Sequence, residues 1–131
     1  MSLSLTVVLI FIVWCALTPI SSGPRNAPIK ATIVQIKAFA TGLEMFKGDN
    51  GFYPSGTNGL MDLVAKPTNA TAGWHGPYLA KIPADFWGHP YHYEYPGRHN
   101  TNSFDVSSAG PDGVFGTADD IGNWERQTGN K

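Results

Sequence analysis

Apolar residues recur at three- and four-residue steps from Ile29 to Phe46, which is the pattern of one face of an α-helix. The stripe consists of Ile29, Ile33, Ile36, Phe39, Ala40, Leu43 and Phe46. Pro28 suits the first turn of such a helix, because the N–H that proline lacks has no intrahelical partner there. The turn-forming residues Asp49-Asn50-Gly51 follow the stripe. The sequence therefore predicts an amphipathic helix over 28–47, whose apolar face must pack on another layer.

An uncharged apolar run, Leu3–Ile20, precedes this helix. As a helix it would be about 27 Å long, slightly less than a typical hydrocarbon core. Two interpretations stay open: a cleaved signal peptide, with small residues at Ser21–Gly23, or a retained anchor helix. Either one is expected to have basic residues nearby on the cytoplasmic side, and Met1-Ser2 supplies none. We predict that 1–20 form a transmembrane or filament-core segment and that 21–131 form one globular domain.

Alternation of apolar and polar residues predicts a small sheet in the second half of the chain. Tyr91–Tyr95 alternates three tyrosines on one face, and Phe104–Ser108 is its predicted antiparallel partner. Ile121–Trp124 is predicted as a third strand. A short helix is also predicted over Asn58–Ala65, with three inward-facing residues, Leu60, Leu63 and Val64. The predicted fold class is α+β, with the long N-terminal helix packed on a small antiparallel sheet.

Composition and motifs argue against several classes of protein. The net charge of −1 provides no electrostatic footprint for nucleic acid. The single cysteine, Cys15, lies in the apolar run, so no disulfide forms within the chain. The histidines have no metal-ligand spacing; they are His75, His89, His92 and His99. No nucleophile elbow or phosphate-binding loop is present, and we predict that the protein is not an enzyme.

Two further sets of side chains have alternative interpretations. Asp85 and Glu94 could be the acid and base of a glycosidase, although an unpaired pair of surface carboxylates is the commoner arrangement. The tryptophans of the globular part could form a sugar platform, but in a small domain we interpret them as core or rim packing. These tryptophans are Trp74, Trp87 and Trp124.

The stretch Phe104–Trp124 places Asp112, Asp119 and Asp120 in a glycine-rich loop without lysine or arginine. Carboxylates that lie close together repel each other unless a cation sits between them, and Ca²⁺ takes roughly six to eight oxygen ligands. Asp-Gly and Gly-Pro-Asp are also common turn sequences, so solvated carboxylates are the alternative. The spacing is not that of an EF-hand. From the residues alone, both interpretations stay open.

Short motifs follow one another in a distinctive order from Thr32 to Trp124. They are Lys47–Pro54, Asn58–Leu60, Trp74–Leu79, Lys81–Pro83, Asp85–Tyr91, Ser108–Gly113 and Asp119–Trp124. Each block alone is weakly specific. In this order they resemble the major pseudopilin family of bacterial type II secretion systems.

The resemblance implies a structural subunit anchored in the bacterial inner membrane by its N-terminal helix, with its globular domain in the periplasm. Such subunits form a homo-oligomeric helical filament, the pseudopilus, which drives export of folded proteins across the outer membrane. The implied partners are minor pseudopilins, the inner-membrane assembly platform and, if the true N-terminus lies upstream of Met1, a prepilin peptidase. The resemblance also implies Ca²⁺, with Asp112 and Asp120 as side-chain ligands, Asp119 as a third carboxylate and the Ala109 carbonyl as a backbone ligand.

The chain departs from the family pattern in three respects. Phe86 stands where the family has proline, and Pro24 and Pro28 interrupt a region that is usually continuous helix. The basic leader and its cleavage-site glycine do not precede the apolar run, and we hypothesise that the start at Met1 lies a few codons too late or that the leader has been lost. Two alternatives remain: a membrane-anchored calcium-dependent module that binds glycan or peptide, and a minor or type IV pilin-like subunit.

Overall fold

A computed structural model of the chain describes residues 26–56 and 58–124. Its elements are the helix α1 (Ala27–Asn50), a 3-10 helix (Gly59–Leu63) and the strands β1 (His92–Glu94), β2 (Asp105–Ser108) and β3 (Ile121–Gly122). The membrane or filament-core segment predicted for 1–20 lies outside the described residues. Within the described ranges, no helix is both long enough and apolar enough to cross a membrane.

The helix α1 is the one predicted over 28–47, and it extends three residues further to Asn50. Pro28 lies in its first turn. Its last turn is closed by Gly51, which has a left-handed backbone (φ 86°) and donates its N–H to the Lys47 carbonyl over 2.7 Å. Phe39 and Leu43 on its apolar face are fully buried. Local signals at the two ends therefore set the length of this helix.

The three strands form one antiparallel sheet in the order β1-β2-β3. Tyr93 of β1 lies opposite Val106, and Ser108 of β2 lies opposite Ile121. The helix α1 packs on β2, on β3 and on the 3-10 helix, with the core between these layers. The predicted α+β arrangement of a long helix on a small antiparallel sheet is confirmed.

Both outer strands are shorter than the sequence predicts. The strand β1 covers His92–Glu94 rather than 91–95, because prolines at 90 and 96 bound it and cannot donate ladder hydrogen bonds. Only Tyr93 of the predicted tyrosine face is fully buried, and Tyr95 is exposed. The strand β3 ends at Gly122, and the Trp124 ring stacks instead on His99 at a centroid distance of 3.8 Å.

The short helix predicted over 58–65 is a 3-10 helix of five residues, Gly59–Leu63. Gly59 packs directly against the Tyr93 ring, where any Cβ would collide with the ring carbons. Leu60 and Leu63 are buried as predicted, but Val64 is only half-buried. The 3-10 helix therefore packs closely against β1.

The three tryptophans of the globular part have different surroundings. Trp74 and Trp87 are partly buried and pack against the core, as the core-packing interpretation predicts. Trp124 lies with His99 beside the sheet.

Candidate metal centre

The predicted metal loop, 109–120, connects β2 to β3. Its two ends are fixed because Ser107 pairs with Gly122 and Ser108 pairs with Ile121 in the antiparallel ladder. Ala109, the predicted backbone ligand, is fully buried at the root of the loop. The sheet therefore brings Ala109 and Asp120, which are eleven positions apart, to the same end of the domain.

A buried carboxylate, Asp85, anchors the root of this loop. The Ser108 hydroxyl donates to Asp85 Oδ2 over 2.6 Å and accepts the Gly110 N–H over 3.0 Å. The other oxygen, Oδ1, accepts the backbone N–H groups of Trp87 (3.0 Å) and His89 (2.8 Å). Asp85 thus joins the 85–89 turn to the loop.

The interpretation of Asp85 as a surface carboxylate is wrong. Burial by β2 and by its own turn makes it a structural anchor. The local part of this role had a signal in the sequence, because aspartate at the first position of Asp-Phe-Trp-Gly is typical of a turn that it caps. The partner Ser108 is distant in the chain, and the sequence reasoning missed it.

Asp112 holds the tip of the loop in an Asx turn. Its Oδ1 accepts the Val114 N–H over 3.0 Å, and its Oδ2 accepts the Thr117 hydroxyl over 2.6 Å. The bond from Thr117 and then the bond from Val114 stabilise the charged carboxylate and lower the pKa of Asp112. Asp112 is therefore fully ionised at neutral pH.

Asp120 binds the same tip from the other end of the loop. Its Oδ2 accepts the Gly116 N–H over 2.7 Å, and its own N–H donates to the Thr117 carbonyl over 3.3 Å. Asp112 and Asp120 therefore converge on one short segment, 114–117. Asp119 joins this arrangement through its backbone, since its N–H donates to the Thr117 hydroxyl over 3.3 Å.

The loop has two arms, the segment around Gly110 and the segment around Asp119. They lie so close together that residue 110 must be glycine. Gly110 has a left-handed backbone (φ 71°), and any Cβ there would collide with the carbonyl oxygen of Asp119. The close pairing of these arms brings the backbone of Asp119 next to the root that carries Ala109.

The donor set of the loop suits a hard cation. In the described part of the chain, no group of three or more His, Cys, Asp or Glu side chains is arranged for a metal ion. The loop offers a different set, namely the Asp112 and Asp120 carboxylates, which both accept hydrogen bonds from residues 114–117, together with backbone carbonyls. All of these donors are oxygens, which calcium prefers and which zinc sites seldom use alone. By donor chemistry alone, the oxygen atoms of this loop suit Ca²⁺ better than Zn²⁺.

Comparison with known proteins identifies the family. The family model described as "Type II secretion system (T2SS), protein G" matches residues 20–124.

The chain belongs to the protein G family of type II secretion systems.

Several protein G relatives cover most of the chain. The core protein G of Pseudomonas aeruginosa is 43% identical over 112 residues, which are 81% of this chain and 78% of that protein. The core protein G of Klebsiella michiganensis is 34% identical over 128 residues, or 95% of this chain and 89% of that protein. The likeness therefore extends over the helix, the sheet and the candidate metal loop.

A solved structure has the same fold. The crystal structure of the major pseudopilin from the type 2 secretion system of enterohaemorrhagic Escherichia coli superimposes with a TM-score of 0.67 at 36% identity. The match covers 76% of this chain and 84% of that one.

Proposed function

We propose that this chain is the major pseudopilin of a type II secretion system, the subunit that assembles into a periplasmic filament and drives export of folded proteins across the outer membrane. The observation that carries the proposal is the protein G match over residues 20–124, together with the TM-score of 0.67 to a solved major pseudopilin. The role is structural: the subunit works through its shape and its contacts with copies of itself.

We also propose where the subunit lies in the cell envelope. The uncharged run Leu3–Ile20 supports a single inner-membrane anchor that later packs in the filament core, with the globular domain in the periplasm. Minor pseudopilins and the inner-membrane assembly platform are the proposed partners, since a filament of this kind must be initiated and extended from the membrane.

The proposal also includes a structural calcium ion in the C-terminal loop. Asp112 and Asp120 would hold it, with Asp119 as a further carboxylate and the Ala109 carbonyl as a backbone ligand. The ion would neutralise charge that the loop otherwise concentrates without lysine or arginine. The chain's own contribution is the rigid root at Ser108 and the tip braced by Asp112.

Deletion of the gene in its host tests the function. We expect the secreted proteins of that organism to accumulate in the periplasm, and we expect export to return when the gene is supplied on a plasmid. A second strain that lacks the outer-membrane secretin gives the reference pattern. Unchanged export after deletion would contradict the proposed function and would favour a binding module.

A further inference from the structure

Residues 85–89 form a turn that is closed by four hydrogen bonds. The Asp85 N–H donates to the His89 carbonyl over 2.8 Å, and the Gly88 N–H donates to the Asp85 carbonyl over 3.0 Å. The Asp85 side chain adds two more, because its Oδ1 accepts the N–H groups of Trp87 (3.0 Å) and His89 (2.8 Å). Bonds within the segment therefore fix its shape, and we call residues 85–89 the anchor turn.

The anchor turn contacts the candidate metal loop first through Ser108. The Ser108 hydroxyl donates to Asp85 Oδ2 over 2.6 Å and accepts the Gly110 N–H over 3.0 Å. Ala109 lies between Ser108 and Gly110 and is fully buried. The buried Asp85 carboxylate therefore holds the backbone on both sides of Ala109.

The bond from Gly110 also orients the Ala109 carbonyl. The Gly110 N–H and the Ala109 C=O belong to one planar trans peptide unit, in which the two groups point in opposite directions. Because Ser108 Oγ holds this N–H, the carbonyl oxygen is directed away from the Ser108 hydroxyl. The contacts that run from Asp85 through Ser108 thus set the direction of a carbonyl that is proposed to bind calcium.

The anchor turn contacts the loop a second time through the ring of His89. A Cβ added at Gly113 would lie 3.0 Å from Cε1 and 3.2 Å from Nε2 of this ring, so the imidazole packs directly on the Gly113 backbone. Gly113 follows Asp112 and donates its N–H to the Gly110 carbonyl over 3.2 Å. The short turn that carries Asp112 is therefore closed on itself and backed by His89.

The other arm of the loop is held by the sheet. Asp119 and Asp120 directly precede β3, whose residue Ile121 pairs with β2. The two arms thus have different supports, and a cation that binds both arms needs their donors at a fixed separation. Loss of the contacts with the anchor turn would let one arm shift while the sheet keeps the other in place.

We propose that the anchor turn is a positioning element that sets the calcium affinity of the loop without touching the ion. Asp85 directs the Ala109 carbonyl through Ser108. His89 supports the segment that carries Asp112. This inference rests on the calcium ion proposed above and adds the residues that govern how tightly it binds. Removal of groups that hold metal ligands in place lowers metal affinity on the order of 10–100-fold.

Calcium titration of the detergent-solubilised full chain tests this role. Each variant is stripped with EDTA, dialysed and titrated with calcium chloride by isothermal titration calorimetry, at a temperature where circular dichroism shows it folded. We expect Ser108→Ala to raise the Kd by about tenfold or more, because it removes the contact and leaves the Asp85 charge in place. His89→Ala, which removes the ring from Gly113, should raise the Kd by a smaller factor.

The control is Val106→Ala, because Val106 is fully buried in β2 and belongs to the hydrophobic core. It should lower the melting temperature and leave the Kd unchanged. A rise in the Kd as large as that of Ser108→Ala would overturn the positioning role, since calcium affinity would then follow overall stability.

The two test variants decide the role of each contact separately. Ser108 or His89 loses its proposed role if its variant binds calcium as tightly as the unmodified chain, and the calcium site then stands without that support. If Ser108→Ala does not fold, the result for His89→Ala decides the proposal. If the unmodified chain binds no calcium, the proposed ion is wrong and the positioning role fails with it, whereas the filament function is unaffected.

Discussion

Ser108 and Asp85 are joined by a buried hydrogen bond of 2.6 Å between the serine hydroxyl and Oδ2 of the carboxylate. Ser108 is the last residue of β2, and Asp85 organises the turn that ends at His89 through two backbone N–H groups. The root of the candidate metal loop is thus fixed by a carboxylate 23 positions earlier in the chain. This pair therefore anchors the start of the loop to the rest of the domain.

Removal of the Ser108 hydroxyl should destabilise the domain. In Ser108→Ala, Asp85 Oδ2 loses its donor and the Gly110 N–H loses its acceptor, in a site that water does not reach. We expect the free energy of unfolding to fall by about 1–3 kcal/mol, measured by urea unfolding of the detergent-solubilised chain. Ser107→Ala, which removes the adjacent buried hydroxyl, is the control. Equal losses in both variants would show that the pair has no special role.

Two loop glycines should respond differently to alanine. Gly110 and Gly116 both have left-handed backbones (φ 71° and 88°), which cost alanine about 1–2 kcal/mol. At Gly110 the new Cβ would also collide with the Asp119 carbonyl, whereas at Gly116 nothing lies within 4 Å. We therefore expect Gly110→Ala to lower the melting temperature clearly more than Gly116→Ala. Equal shifts would contradict the close pairing of the loop arms.

Local signals in the sequence predict the long helix well, because Pro28 and Gly51 act on the backbone beside them. The sheet was predicted in outline but with strands that were too long, since the actual ends depend on flanking prolines and on the stacking of Trp124 with His99. The anchor at Asp85 was missed because its partner comes from a distant strand. Burial and long-range pairing are properties of the folded chain, and no short motif reports them.

The Asp105 carboxylate should make the free energy of unfolding depend on pH in the acid range. Its oxygens accept the backbone N–H groups of Arg98 (2.8 Å), His99 (2.9 Å) and Asn100 (3.0 Å). Burial acts to raise its pKa, but these bonds and the bond with the His99 ring outweigh burial and lower the pKa below the ordinary 3.8. The stabilisation is therefore fully present above about pH 4 and is lost as the pH falls through the lowered value.

The Asp105→Asn variant isolates this effect. We expect it to lose about 1.5–3 kcal/mol of unfolding free energy at pH 7, with a smaller difference from the unmodified chain at pH 2 than at pH 5. Urea unfolding at both pH values measures the difference. A gap that stays constant between these pH values would show that the Asp105 carboxylate is not the group responsible.

Calcium should stabilise the protein through the C-terminal loop. An ion that binds only the folded state raises stability with the logarithm of its free concentration. We expect EDTA to lower the melting temperature of the full chain by several degrees, and calcium but not magnesium to restore it. Asp112→Ala should abolish this sensitivity, whereas Asp62→Ala, on the 3-10 helix, should retain it. If EDTA does not change the melting curve of the unmodified chain, the proposed calcium site is wrong.

Immunogold electron microscopy tests the central claim most directly. Cells that overexpress the full chain with the secretion genes of its host are sheared, and the released filaments are labelled with antibody against the globular domain. A major subunit predicts gold particles along the whole length of every filament. Filaments labelled only at one end, or unlabelled, would contradict the assignment as the major pseudopilin.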